Sequence, residues 1–348
     1  MIRAVGIDPG TVSIDACGIA DGELYLDRSW PTAEAIAEPE RFIEFLTACG
    51  SPDLIAGPSG YGLPLLPASE ATDADLRLAF LARPEEEGGI GGLRGFARRL
   101  AAAGLPVVYT PAVIHLDTVP DHRKLNRVDL GTADKLCAAI LGIHDQSERR
   151  GRAPEQVSFI LLELGGAFTA GLAVERGQVV DGVGGTSGPI GWRAAGALDG
   201  EVAFLAGTIS KADIFRGGVS SFLEQEPGRG PVAMNAYVEG VVKAVRQLRC
   251  SAPSADEILL SGRKATESWL LERLSRELAD AGVVRVLSGF AATAKQGAQG
   301  AALLADGLVG GRHRKLIERM RIRHAGGTVL DHLVVISPLT ARRRLGLA

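Results

Sequence analysis

Cysteine is scarce. The 348-residue chain has four, Cys17, Cys49, Cys137 and Cys250. They lie far apart and form no CxxC pair, which excludes a disulfide framework and thiolate metal clusters and fits reduced thiols in a cytoplasmic protein. Long apolar runs are also missing; none reaches the roughly 18 residues of a membrane span. Met1 to Asp8 enters a strand pattern at once, so the start does not read as a signal peptide. Charge of one sign is lacking as well. Lys and Arg number 38 against 41 Asp and Glu, a net charge of -3, which gives no electrostatic case for wrapping nucleic acid. The dipeptide Gly-Lys never occurs, so there is no Walker A loop. Gly228-x-Gly230-x-x-Ala233 imitates a dinucleotide fingerprint, but it follows Glu224-Gln225-Glu226-Pro227 instead of an apolar strand.

Glycine, in contrast, is abundant: 45 residues, nearly twice the average share of about 7%. The glycines come in short bursts between apolar runs, with no fixed period, which points to functional loops. The apolar share of 46% supplies a sizeable core. Residues 3–7, 12–20 and 23–29 read as three strands joined by Asp8-Pro9-Gly10-Thr11 and the hairpin signal Asp21-Gly22. A helix at 40–48, a strand at 53–57, a loop at 57–69, helical stretches at 70–82 and 93–103 and a strand at 106–110 follow. Residues 129–145 have helical spacing. The opening pattern then recurs, with strands at 157–164, 168–175 and 178–183. Helices at 194–206 and 232–249, a strand at 256–260, a helix at 265–280, a strand at 283–287 and a helix at 294–308 complete it. The last 35 residues read as a helix and a terminal strand or tail.

The pattern is βββ-α-β-α-β-α twice: a duplicated α/β unit, expected as two lobes with a ligand cleft between them. Three motifs stand out. In Gly6-Ile7-Asp8-Pro9-Gly10-Thr11 a carboxylate ends a strand and a tight turn follows. Such a turn cradles phosphate while Asp8 holds Mg²⁺; the alternative is an ordinary hairpin turn. Glu163-Leu164-Gly165-Gly166-Ala167-Phe168-Thr169 occupies the corresponding place in the second half, with Glu163 as a second candidate metal ligand. Ser261-Gly262-Arg263, after the strand at 256–260, suits a flat base or ribose, or is a plain βα loop.

In this order the motifs resemble the acetate and sugar kinase, heat-shock chaperone and actin superfamily. The resemblance places its two phosphate turns at 6–11 and 163–169, its adenosine turn at 260–263 and its connecting helices at 131–143 and 296–309. It implies a duplicated ribonuclease-H-like (actin-like ATPase) fold that binds ATP and Mg²⁺. The domains would be 1–130, 131–310 and a C-terminal helix or tail at 311–348. Glu163 stands where the superfamily has Asp, and Ser261-Gly262 where it has two glycines. Residues 110–116, 118–129 and 130–137 (TPAVIHL, TVPDHRKLNRVD, LGTADKLC), with ELGGAF and GGTSGPIG, resemble the family called predicted butyrate kinases. Gly131-Thr132-Ala133-Asp134-Lys135 also resembles the Gly-x-Asp-Arg stretch of type III pantothenate kinases, with Lys135 replacing Arg.

That resemblance makes Asp134 a candidate base or cation ligand; the alternative is an acid placed to suit a helix N-terminus. Arg127 is a candidate clamp for a carboxylate or phosphoryl group, or a salt-bridge partner of Asp129. Ser59, Asn126, Thr186 and Ser187 are candidate substrate contacts from loops, and His115 and His122 weaker candidates. Gly10, Thr11, Glu163, Gly165, Gly166, Ser261, Gly262 and Arg263 are the candidate nucleotide contacts. The resulting expectation is an ATP-dependent kinase of a small metabolite, butyrate kinase-like, with homodimerisation implied by resemblance. An ATPase switch acting on a partner protein and a ribonuclease-H-like nuclease are the alternatives.

Overall fold

The computed structural model describes residues 1–10, 12–57, 60–83 and 90–347, without the side chains of 90–92. The chain divides into two compact units. One comprises Met1–Val128, Thr132–Glu155 and Ser288–Ala348; the other comprises Asp129–Gly131 and Gln156–Leu287.

The first unit is built on β1 (Arg3–Pro9), β2 (Ser13–Ala20), β3 (Glu23–Pro31), β4 (Leu54–Gly57), β5 (Leu66–Pro67) and β6 (Val107–Tyr109). They form one sheet in the order β3-β2-β1-β4-β6-β5. β1, β2 and β3 make an antiparallel meander, and β4 and β6 continue it in parallel from β1. The second unit holds β7 (Phe159–Leu164), β8 (Thr169–Glu175), β9 (Gln178–Val183), β10 (Glu257–Ser261) and β11 (Val283–Val286), in the order β11-β10-β7-β8-β9. Again a meander is extended by two parallel strands. The two strand orders coincide apart from β5, so the fold is a duplicated ribonuclease-H-like, actin-like α/β architecture, as the sequence indicated.

Each unit has its own core. Ile14, Ile55, Phe42, Leu100 and Tyr109 anchor the first; Ile160, Leu162, Tyr237, Val241 and Leu260 anchor the second. The strands β1, β2, β7, β8 and β10 bury nearly every residue, which is why the sequence shows apolar runs there instead of strict alternation.

The Gln296–Leu308 helix is almost wholly buried in the first unit, against β1 and the Ala133–Arg150 helix. Small residues permit this. A Cβ at Gly6 would collide with the Ala298 carbonyl, and one at Gly300 with the Cys137 carbonyl. This packing draws residues 132–155 and 288–348 into the first unit, so the units do not follow the boundaries 1–130, 131–310 and 311–348 read from the sequence.

One local expectation fails. Residues 194–199 are not helical; Gly196 sits at φ +79° and Asp199 caps a helix that begins only at Gly200–Ala206. Of the terminal strand or tail read in the last 35 residues, the strand does not form at 328–337. The segment is held by the side-chain oxygen of Asn126, which accepts from the amides of Val334 (2.7 Å) and Val335 (2.9 Å), and it leads into the Pro338–Arg344 helix. Among the described residues no helix is long and apolar enough to cross a membrane.

Candidate functional site

In the first unit, Asp8 lies one residue before the end of β1 and pairs in register with Asp15 on β2, which puts two acids side by side on one sheet face. Both are buried. The N-terminus of the Gln296–Leu308 helix meets them. A Cβ at Gly297 would lie 2.7 Å from Asp8 Oδ2 and 3.5 Å from the Cβ of Asp134, so only glycine lets the helix approach the acids this closely. Asp134 opens the Ala133–Arg150 helix. Its Oδ1 accepts from Thr132 Oγ1 at 2.5 Å and its Oδ2 from Lys135 Nζ at 2.6 Å.

Asp8 and Asp134 differ electrostatically. Burial, reinforced by the negative charge of Asp134, pushes the Asp8 carboxyl up to about 7. Burial also acts upward on Asp134, but the Lys135 ammonium and the hydrogen bonds from Lys135 and Thr132 outweigh it and hold that carboxyl below its usual range. One acid is thus fixed as an anion, and its neighbour has too little compensating positive charge. Such a pair fits Mg²⁺, which binds through one or two carboxylates together with water and phosphate oxygens.

The glycine turn after β1 is tightly held. Gly10 donates its N–H to the Ser13 carbonyl (2.9 Å), and its own carbonyl accepts from Thr32 Oγ1 (2.7 Å). Lys295 reaches this turn, with its Nζ 3.0 Å from Asp15 Oδ2. Two residues set the segment that carries it. The Asp27 carboxylate accepts from the amides of Ala292, Thr293 and Ala294. Gln299 Oε1 accepts from those of Phe290 and Ala291. Asp15, Asp27 and Lys295 were not singled out from sequence. Their association depends on strands and a helix far apart in the chain, and no local pattern marks it.

In the second unit the corresponding turn follows β7. Gly165 donates to the Phe168 carbonyl at 3.0 Å. Ser261 Oγ donates to Glu163 Oε2 at 2.6 Å, and a Cβ at Gly262, whose φ is +86°, would lie 2.6 Å from Glu163 Oε1. Glu163 therefore joins the 163–166 turn to the 261–263 turn. A Cβ at Gly166 would lie 3.8 Å from Arg263 Cδ, so Gly165, Gly166, Ser261, Gly262 and Arg263 come together around Glu163.

The remaining predicted residues are placed differently. Arg127 is exposed, and the Asn126 side chain holds the 334–335 backbone. Asp129 is buried and is the centre of a network that sequence reasoning missed. Its Oδ2 accepts from both the N–H and the hydroxyl of Thr186 (3.0 Å each), its Oδ1 from the Gly131 amide (3.1 Å), and its carbonyl from the Ser187 hydroxyl. The hydroxyl hydrogens of Thr186 and Ser187, expected at a substrate, are committed to Asp129. The Asp-Leu-Gly spacing at 129–131, an acid two residues before a positive-φ glycine, was the available signal. His115 is buried with Nδ1 accepting from the Ala112 amide, and burial pushes its pKa down to about 4; His122 is exposed. Thr11 and Ser59 lie outside the described residues.

A family model described as "Protein of unknown function (DUF1464)" matches residues 6–335. Among curated proteins, none matches. Among solved structures, the chain is similar to a propionate kinase from Francisella tularensis subsp. tularensis SCHU S4, at 12% identity and a TM-score of 0.60, over 86% of this chain and 99% of that one. The acetate kinase from Entamoeba histolytica gives 10% identity and a TM-score of 0.56, over 80% and 87%. Porphyromonas gingivalis acetate kinase gives 13% and 0.55, over 86% and 98%. At such identities the likeness establishes the fold.

Proposed function

The chain belongs to the DUF1464 family, and we propose that it is an ATP-dependent phosphotransferase whose acceptor is a small carboxylic acid. The observation that carries this reading is the buried acid pair Asp8–Asp134 against Gly297 at a helix N-terminus. The glycine turns after β1 and β7, at equivalent positions of the two sheets, support it. So do the three similar solved structures, each an acetate or propionate kinase.

In this reading Asp8 and Asp134 hold Mg²⁺ directly or through water. Within the second unit the Gly166 N–H is the donor this reading offers to phosphate, because the N–H groups of Gly10 and Gly165 already go to the Ser13 and Phe168 carbonyls, and Ser261-Gly262-Arg263 takes the nucleoside. ATP supplies the phosphoryl group, and Mg²⁺ neutralises its charge. Glu163, with one carboxylate oxygen accepting from Ser261, joins the two turns of the second unit.

Asp134 supports a carboxylate as the acceptor class. A hydroxyl acceptor needs a base to take its proton, and a carboxylate does not. Both Asp134 oxygens already accept hydrogen bonds, and its carboxyl is held below the usual range, which makes it a weak base and a good fixed anion. The test is to incubate the protein with MgATP, C2 to C6 carboxylic acids and hydroxylamine, which traps acyl phosphates as hydroxamates. Hydroxamate that forms with ADP in equal amount supports the reading. ADP that appears only with alcohols moves the acceptor to a hydroxyl. ADP formed with neither class moves the reading to an ATPase.

A further inference from the structure

We infer that Lys295 is the cation of the first glycine turn, the side chain that meets the phosphate chain of a bound nucleoside triphosphate there; the inference rests on the phosphotransferase reading above. Lys295 is the N-cap of the Gln296–Leu308 helix. Its Nζ lies 3.0 Å from Asp15 Oδ2 and 3.4 Å from the Ser13 carbonyl. A Cβ at Gly10 would lie 2.8 Å from that Nζ, so the ammonium sits over the turn in the space left by the missing side chain. An ammonium has three donors, and the Asp15 and Ser13 contacts use two.

A purely structural role is the competing account. The Asp15 side chain is 1% exposed and needs a counter-charge, because an unpaired buried carboxylate is strongly destabilising. That need accounts for a cation beside Asp15. It does not account for a cation whose side chain is 44% exposed and lies over a glycine turn. Lysine is the residue that meets phosphate as a compact point charge. Around this turn the acids Asp8, Asp15 and Asp134 face two ammonium groups. Lys135 is committed to Asp134, whereas the Lys295 ammonium lies over the turn.

The experiment separates the two roles by removing the buried acid together with the lysine. Wild type, Asp15→Asn, Lys295→Met and the Asp15→Asn/Lys295→Met double variant are melted and titrated with the non-hydrolysable analogue Mg-AMPPNP. Lys295→Met is expected to lower the melting temperature, and the double variant to regain that of Asp15→Asn. The double variant is still expected to bind the analogue about 10-fold or more weakly than Asp15→Asn. A double variant that binds within about twofold of Asp15→Asn shows that Lys295 is only a counter-charge, and overturns the inference. A wild type that binds no analogue overturns the phosphotransferase reading and this inference with it. A second measurement needs no variant. Lys295 in the native chain is acetylated with and without Mg-AMPPNP and quantified by mass spectrometry. Protection by the analogue is expected, and equal labelling in both samples contradicts the inference.

Discussion

Removing the charge of Asp8 should stabilise the protein at alkaline pH while abolishing its response to magnesium. Asp8 is buried, and burial together with Asp134 raises its carboxyl from 3.8 to about 7. The folded state therefore holds this proton more tightly than the unfolded state. The associated stability is complete below the unfolded value, declines as pH rises and is gone above about 7. At pH 8 the ionised carboxylate is disfavoured by roughly three pKa units, about 4 kcal/mol. At pH 5 the unfolded chain is mostly ionised and the native acid mostly protonated, and the same linkage gives a loss of about 1.5 kcal/mol. Asp8→Asn keeps the shape and cannot ionise. Urea unfolding of both proteins should show Asp8→Asn more stable at pH 8 than at pH 5, relative to wild type at each pH, by about 2–3 kcal/mol. Adding Mg²⁺ at about 10-fold over its dissociation constant should narrow the difference at pH 8, because wild type gains binding energy of about 1.4 kcal/mol and the variant does not. An Asp8→Asn protein equally destabilised at both pH values would refute the electrostatic reasoning, since the loss would then be one of packing.

Two further perturbations test the packing that places the site. Gly300→Ala should cost about 3 kcal/mol or more, because its Cβ meets the backbone carbonyl of Cys137 and neither helix can yield without a backbone shift; unfolding midpoints close to wild type would show that the Gln296–Leu308 and Ala133–Arg150 helices are not so tightly apposed. Asp129→Ala should free the 184–187 loop, with a loss of about 1–3 kcal/mol and faster hydrogen exchange at the amides of Gly131 and Thr186. Unchanged exchange at those two amides would mean that Asp129 does not hold the loop.

Both meanders were legible in the sequence because they rest on local signals. Asp21-Gly22 and Gly165-Gly166 mark chain reversals, and the apolar runs beside them form strands with helical cover. The duplication was legible for the same reason, since the acid-plus-glycine turn recurs after β1 and after β7. The local reading failed where one residue's conformation overrode periodicity, as Gly196 does before the Gly200–Ala206 helix. At 328–337 it left a strand or a tail open, and the stretch is no strand: Val334 and Val335 are exposed and the backbone is held by Asn126. Within the candidate site, Asp8, Gly10 and Asp134 were found from turn chemistry and resemblance. Asp15, Asp27, Asp129 and Lys295 were not, because each owes its place to tertiary packing. Asp15 is one of eight residues in an ordinary strand, and only its pairing with Asp8 and the arrival of Lys295 give it meaning.

The phosphotransferase activity requires Asp8 to belong to a magnesium-nucleotide site. Titration calorimetry of Mg-AMPPNP against wild type and Asp8→Asn decides it. Wild type should bind in the micromolar range and only with Mg²⁺, and Asp8→Asn about 10-fold or more weakly. No heat of binding to wild type, or equal binding by both proteins with and without the metal, would contradict that assignment.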